Sequence, residues 1–312
     1  ARAALTHVDA ALRLWAVSIL SARGLGSPAD FHSLADKDPN PVVAAAAAEA
    51  LADLRPAGEM AWGETAASPS SWWPTSGPGF ARLPDSSRYE GQFAQGRFHG
   101  KGTLRWDNGD RYEGSFQRGL MHDQGTLTFG NGSRYTGEFA NGNMSGKGTF
   151  VVSKFSTYVG EFKDGLYHGK GRVEYDNGSS YEGAFSFGEY HGQGKTDYGG
   201  GEYQAGSYEN GLLEGDGVLV QSGLGQYEGG FKACVMHGAG RLKFESGDVY
   251  RGAFIDGRME GRGAMNFTDG SRFAGSFKGD MMHGKGILYL PGGETISGRW
   301  DEGEMADEYQ LD

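Results

Sequence analysis

A glycine returns every 23 residues along most of this chain: Gly91, Gly114, Gly137, Gly160, Gly183, Gly206, Gly229, Gly252, Gly275 and Gly298. An aromatic follows two residues later each time, from Phe93, Phe116 and Phe139 through to Trp300. A second glycine keeps the same phase without exception from Gly102 to Gly286. A fixed period of this length marks a repeat architecture. No single unit can bury its own apolar face, so each repeat depends on its neighbours.

The spacing inside a unit selects strands. Tyr89, Gly91 and Phe93 alternate and share one face, as do Gly100, Gly102, Leu104 and Trp106. Glu90, Gln92, Lys101, Thr103 and Arg105 fall on the other face. Asp107-Asn108-Gly109 is a hairpin signal between consecutive units. A three-residue loop there pairs Leu104 with Tyr112, Gly102 with Gly114 and Gly100 with Phe116. A slip of one residue would turn every ring to the wrong face. The expected fold is mainly β: an elongated single-layer antiparallel sheet of about ten hairpins, one per 23-residue unit. At about 9.6 Å of advance per two-stranded unit, the array should reach roughly 95 Å.

The unit is clearest from Tyr89 to Asp110, YEGQFAQGRFHGKGTLRWDNGD. It resembles the MORN repeat (membrane occupation and recognition nexus), and the resemblance runs from about Tyr89 to Gly303. Ser76-Gly77-Pro78-Gly79 reads as a half copy, lying 23 residues before His99-Gly100-Lys101-Gly102. The resemblance implies a non-catalytic scaffold or assembly subunit that binds other proteins, set in a ciliary, radial-spoke or other cytoskeletal assembly of the cytoplasm. Its alternative implication is membrane recruitment through phosphoinositide headgroups. A further alternative is an accessory subunit of an organellar complex. The chain begins at Ala1, which fits loss of an initiator Met, a trimmed targeting peptide or an excerpt from a longer chain.

Composition separates the array from what precedes it. Only six of the 56 glycines lie in residues 1–87. Leu5, Val8, Leu12, Trp15 and Ile19 have helical spacing, and Asn40-Pro41 opens a second helix ending before Pro56. The stretch from Asp38 to Leu54 resembles one helix of a HEAT repeat. The division expected is therefore a helical segment (1–56), an irregular linker that contains Pro and Trp and the half copy (57–87), the array (88–303) and an acidic tail (304–312). The formal net charge of −11 disfavours nucleic acid and anionic lipid as partners unless the basic residues cluster. The single cysteine, Cys234, excludes an internal disulfide.

Residues that suggest chemistry recur with the repeat. Gly96 to Thr103 evokes a phosphate-binding loop but is one residue short and joins two strands. His99, His122, His168, His191, His237 and His283 occupy one repeat position. Neighbouring copies near 10 Å apart cannot share a metal whose bonds are about 2 Å. These histidines are expected to brace the loop before the second strand, with no metal, cofactor or catalytic residue. Gly91, Gly102, Gly114, Gly148, Gly183 and Gly252 are expected to be structural, each leaving room for a ring. The partner surface is expected on the ring face, with Tyr89, Phe93, Trp106, Tyr112, Tyr135, Tyr158, Tyr181, Tyr227 and Tyr250 lining a trough. Phe93-type rings should pack between repeats, and Tyr89-type rings should lie nearer the trough. Phe155, in a turn that has lost its glycine, and Leu224 are expected as secondary contacts. The early Tyr203 predicts a bulge at Gln204–Ala205.

Overall fold

The protein is described from a computed structural model that covers residues 74–308. The two helices expected before Pro56 lie outside the described residues. Within them every regular element is a strand, and all 21 belong to one antiparallel sheet. Two compact units divide the strands, one ending at Asp176 and taking in 185–189, the other comprising 177–184 and the residues from Tyr190 onward.

In the first unit β1 (Ser76–Arg82), β2 (Arg88–Ala94), β3 (Arg97–Arg105), β4 (Arg111–Gln117), β5 (Leu120–Thr128) and β6 (Arg134–Ala140) pair in chain order. β1 is the half copy and pairs Gly79 with Gly91. Leu104 faces Tyr112, Gly102 faces Gly114 and Gly100 faces Phe116, the register that the ring pattern demands. The last strand, Glu304–Glu308, pairs with Thr295–Asp301, so the start of the expected acidic tail is part of the sheet.

Within a repeat the register shifts. Gly91 faces Gly102, but Gln92 faces His99, which leaves Gly100 and Lys101 unopposed. Gly100 takes φ +60° there, and Asp123 holds the equivalent place at φ 52°. Asp tolerates that left-handed conformation better than most residues. In the sixth repeat an irregularity falls between Asp197 and Gly199, while Gln204 and Ala205 pair normally with Thr196 and Lys195. The bulge expected at Gln204–Ala205 is absent, and the irregularity lies instead on the facing strand at Tyr198, beside Gly199, Gly200 and Gly201, all at positive φ.

Each repeat turns back through two residues at positive φ, such as Gln95-Gly96 and Asn141-Gly142. That geometry matches the right-handed twist of the strands it joins. The second turn residue donates its N–H to the previous repeat, as Gly119 does to Phe98 (2.8 Å) and Cys234 to Leu213 (3.0 Å). Ala233 and Cys234 adopt φ 49° and 65° with neither Asn nor Gly present. Left-handed backbone costs an ordinary residue on the order of 1–2 kcal/mol. Replacing the pair by Asn-Gly is therefore expected to stabilise the chain by about 1–2 kcal/mol. The gain is reduced by loss of the Leu213 N–H to Cys234 Sγ contact at 3.2 Å. A urea midpoint that fails to rise would contradict this.

Candidate functional site

The ring face is built from a nest repeated along each unit. Tyr89 lies across the paired glycines Gly91 and Gly102, where an added Cβ would approach its hydroxyl to 2.5 Å. Phe98 stacks on the other side of the ring at 3.8 Å and 14°. Phe93 and Phe116 close the edges at 5.2 and 5.1 Å, both near perpendicular. The hydroxyl donates to the carbonyl of Gln92 at 2.8 Å, so the polar tip is satisfied. Tyr112, Tyr135, Tyr158, Tyr181 and Tyr227 repeat the same bond to the residue three positions on.

This arrangement corrects the expected partner surface. Tyr89, Tyr112, Tyr135, Tyr158, Tyr181, Tyr227 and Tyr250 are 0% exposed, and Phe93 is 3% exposed. The tyrosines are the core of the sheet and cannot act as anchors without opening it. The reason is a residue type the repeat reading passed over. The position before the repeated histidine holds Phe98, Met121, Met144, Tyr167, Tyr190, Leu213, Met236, Met259 and Met282. It is a large apolar lid in every copy, and Met and aromatic lids both suit a ring face. Its signal was present at the same 23-residue period. Trp106 and Leu224 remain half-buried. Phe155 also has a structural role, packing on Tyr175 at 5.5 Å. The six glycines expected to be structural sit at the paired positions under these rings; at each an added Cβ would meet the nest tyrosine.

Burial pushes the Tyr89, Tyr208, Tyr227 and Tyr250 hydroxyls up to about 12. It raises Tyr112, Tyr135, Tyr158 and Tyr181 as well, with the Glu138 and Glu161 carboxylates adding to the rise at Tyr135 and Tyr158. The folded chain holds these protons where the unfolded chain, titrating near pH 10, releases them. Their contribution is complete below about pH 10 and is lost as pH rises through about 12. The urea midpoint is therefore expected to stay level from pH 7 to 9 and to fall steeply above 10. Equal midpoints at pH 8 and 11 would refute the sealed nest.

The repeated histidine position reaches the turn of the following repeat, one repeat further than expected. His122 Nδ1 lies 3.5 Å from the Asn141 N–H. Glu214 and Glu260, standing where other copies have His, accept from the Ala233 and Gly279 N–H groups at 2.9 and 2.8 Å. In these three copies the position accepts from the next turn, whereas His283 Nδ1 lies 3.2 Å from the Asp301 carboxylate and Nδ1 of His168 and His237 has no hydrogen-bond partner among the described residues. Among the described residues no group of three His, Cys, Asp or Glu side chains is placed to hold a metal, and no helix is long and apolar enough to cross a membrane. The opposite face carries Glu90, Gln92, Lys101 and Arg105 exposed and Thr103 half-buried.

The family model for the MORN repeat matches eight segments: 89–111, 112–134, 135–151, 158–180, 181–203, 227–249, 250–272 and 273–295. The unmatched stretches inside the array, 152–157 and 204–226, hold the altered Phe155 turn and the sixth repeat. No curated protein matches the chain at a significant level. Among solved structures, the TCP10 domain of CPAP from Danio rerio aligns at 11% identity, covering 75% of this chain and all of that one, with a TM-score of 0.26. The TCP domain of SAS-4 from Drosophila melanogaster, solved with a proline-rich motif of Ana2, aligns at 11% over 75% of this chain and 95% of that one, with a TM-score of 0.18. Virginiamycin B lyase from Staphylococcus aureus aligns at 13% over 72% and 70%, with a TM-score of 0.14.

Proposed function

Because the chain belongs to the MORN-repeat family, we propose that it is a non-catalytic scaffold that binds other proteins. The observation that carries this reading is that the residues able to do chemistry recur in phase with the repeat and have structural work. The tyrosine hydroxyls close onto the backbone, and His122, Glu214 and Glu260 accept from the turn of the following hairpin. What such an array offers is a fixed lattice of side chains at strand spacing, useful for holding partners in register. With the ring face sealed, docking falls to the opposite face and to the hairpin tips. A ciliary or cytoskeletal assembly is the setting we propose, on family grounds alone.

Cross-linking in cells followed by purification of the chain tests the reading. Stoichiometric protein partners are expected, with cross-links on the polar face. Absence of protein partners together with tight binding to phosphoinositide vesicles would replace the scaffold with a membrane-recruitment module.

A further inference from the structure

The polar face of the first unit carries a row of arginines that the repeat does not require. Arg82 faces Arg88, Arg88 faces Arg105, and Arg105 faces Arg111. The row continues through Thr128 to Arg134. Like charges placed directly opposite one another destabilise a sheet. Arg111 is paired with Glu113. Arg82, Arg88, Arg105 and Arg134 are exposed and make no ion pair with a described residue. The neighbouring row on the same face reads Phe80, Glu90, Thr103, Glu113, Thr126 and Thr136.

We propose that Arg82, Arg88, Arg105, Arg111 and Arg134 form the docking row for an acidic α-helix of a partner protein, an inference that rests on the scaffold reading above. Strands lie about 4.8 Å apart, so the five steps from β1 to β6 span roughly 24 Å. Side chains on one face of an α-helix return once per turn, about every 5.4 Å. A helix lying across the six strands therefore presents one carboxylate per strand over about five turns, running ahead of the row by about 0.6 Å per turn. An extended segment repeats at about 6.7 Å on one face and falls out of step within two residues. Guanidinium groups suit carboxylates because they can bond them at two points. Glu90 and Glu113 decide against a phosphate-rich surface. They would be carried against it together with the arginines, whereas a helix can set Lys or Arg opposite them.

The test uses the full chain and a synthetic alanine-based helical peptide with Glu at one position per turn and Lys beside that stripe. A scrambled peptide of equal composition is the control. Fluorescence anisotropy is expected to show the striped peptide binding at least tenfold more tightly than the scrambled one, and more weakly as salt rises. R88E combined with R105E should abolish the preference. The milder pair R88Q and R105Q should reduce it at least fivefold while leaving the melting temperature unchanged or higher, since like-charge contacts are removed. Equal binding of both peptides, or binding unaffected by either double variant, overturns the proposal. So does recruitment to phosphatidylcholine vesicles containing a phosphoinositide through these arginines with no striped-peptide binding. If the cross-linked partners of the native and R88E/R105E chains are identical and the peptide does not bind, the row is wrong and the scaffold reading stands. If the peptide binds but the native chain captures no protein, the scaffold reading fails instead.

Discussion

Gly148→Val is expected to cost about 3 kcal/mol or more, at the upper end of what overpacking a filled site does. Gly148 faces Gly160 on one side and Gly137 on the other, in ordinary extended backbone, so no conformational penalty confuses the result. Only space matters. An added Cβ would lie 2.6 Å from Cζ of the Tyr135 ring. That ring is 0% exposed and is held edge-on by Phe139 and Phe162 at 5.1 and 4.8 Å, so it cannot yield. Valine must expel the tyrosine, break its bond to the Glu138 carbonyl and open the seam between Arg134–Ala140 and Asn143–Val152. Gly292→Val is the matched control: an added Cβ there meets nothing within 4 Å. It should change stability by no more than about 0.5 kcal/mol. Denaturant unfolding of both variants, with hydrogen exchange to localise the effect, checks this. Equal stability of the two variants would mean that the tyrosine does not lie across the glycine pair.

The same glycines show how far sequence reasoning reaches. The register between repeats was legible because a one-residue slip exposes Tyr112 and Leu104 together, and Leu104 does face Tyr112. The register within a repeat was not, because it depends on an unopposed pair, Gly100 and Lys101, placed by a left-handed glycine and not by any apolar pattern. Four of the within-repeat turns carry an Asn-Gly or Asp-Gly pair, at Asn141-Gly142, Asp164-Gly165, Asn210-Gly211 and Asp256-Gly257, and both residues of each pair adopt positive φ.

Tyr89 and its equivalents are expected at the partner surface when only layers are counted, since a single sheet leaves one face bare. The lid position closes that face. Phe98 and Tyr167 supply a second tier of side chains from within the same sheet. The arginine row escaped notice for a different reason. Arg82, Arg88, Arg105 and Arg111 sit at irregular intervals in the chain and become neighbours only once both registers are known.

Tyr158→Ala is expected to cost about 3–5 kcal/mol, the usual range for deleting a fully buried aromatic side chain. The ring stacks on Tyr167 at 3.7 Å and 8°, meets Phe162 and Phe185 edge-on at 5.1 Å each, and roofs Gly160 and Gly171. Neither glycine has a side chain to fall into the space, so the cavity cannot collapse and its full cost is retained. Tyr158→Phe isolates the hydroxyl. It removes the 2.9 Å bond to the Glu161 carbonyl and the longer 3.5 Å contact with the His168 carbonyl, and that should cost about 1 kcal/mol. The ninth repeat already makes this substitution: Phe273 is 0% exposed above Gly275 and Gly286, flanked by Phe277 at 5.3 Å and Trp300 at 4.9 Å. The ring therefore carries most of the stability and the hydroxyl a smaller share. The two variants also separate core from surface. A ring that anchored a partner would lose affinity on conversion to Ala while the free chain kept its melting temperature. A sealed ring lowers the melting temperature of the free chain whether or not a partner is present. Thermal unfolding of the isolated chain decides between them, and an unchanged melting point for Tyr158→Ala would return the tyrosines to the partner surface.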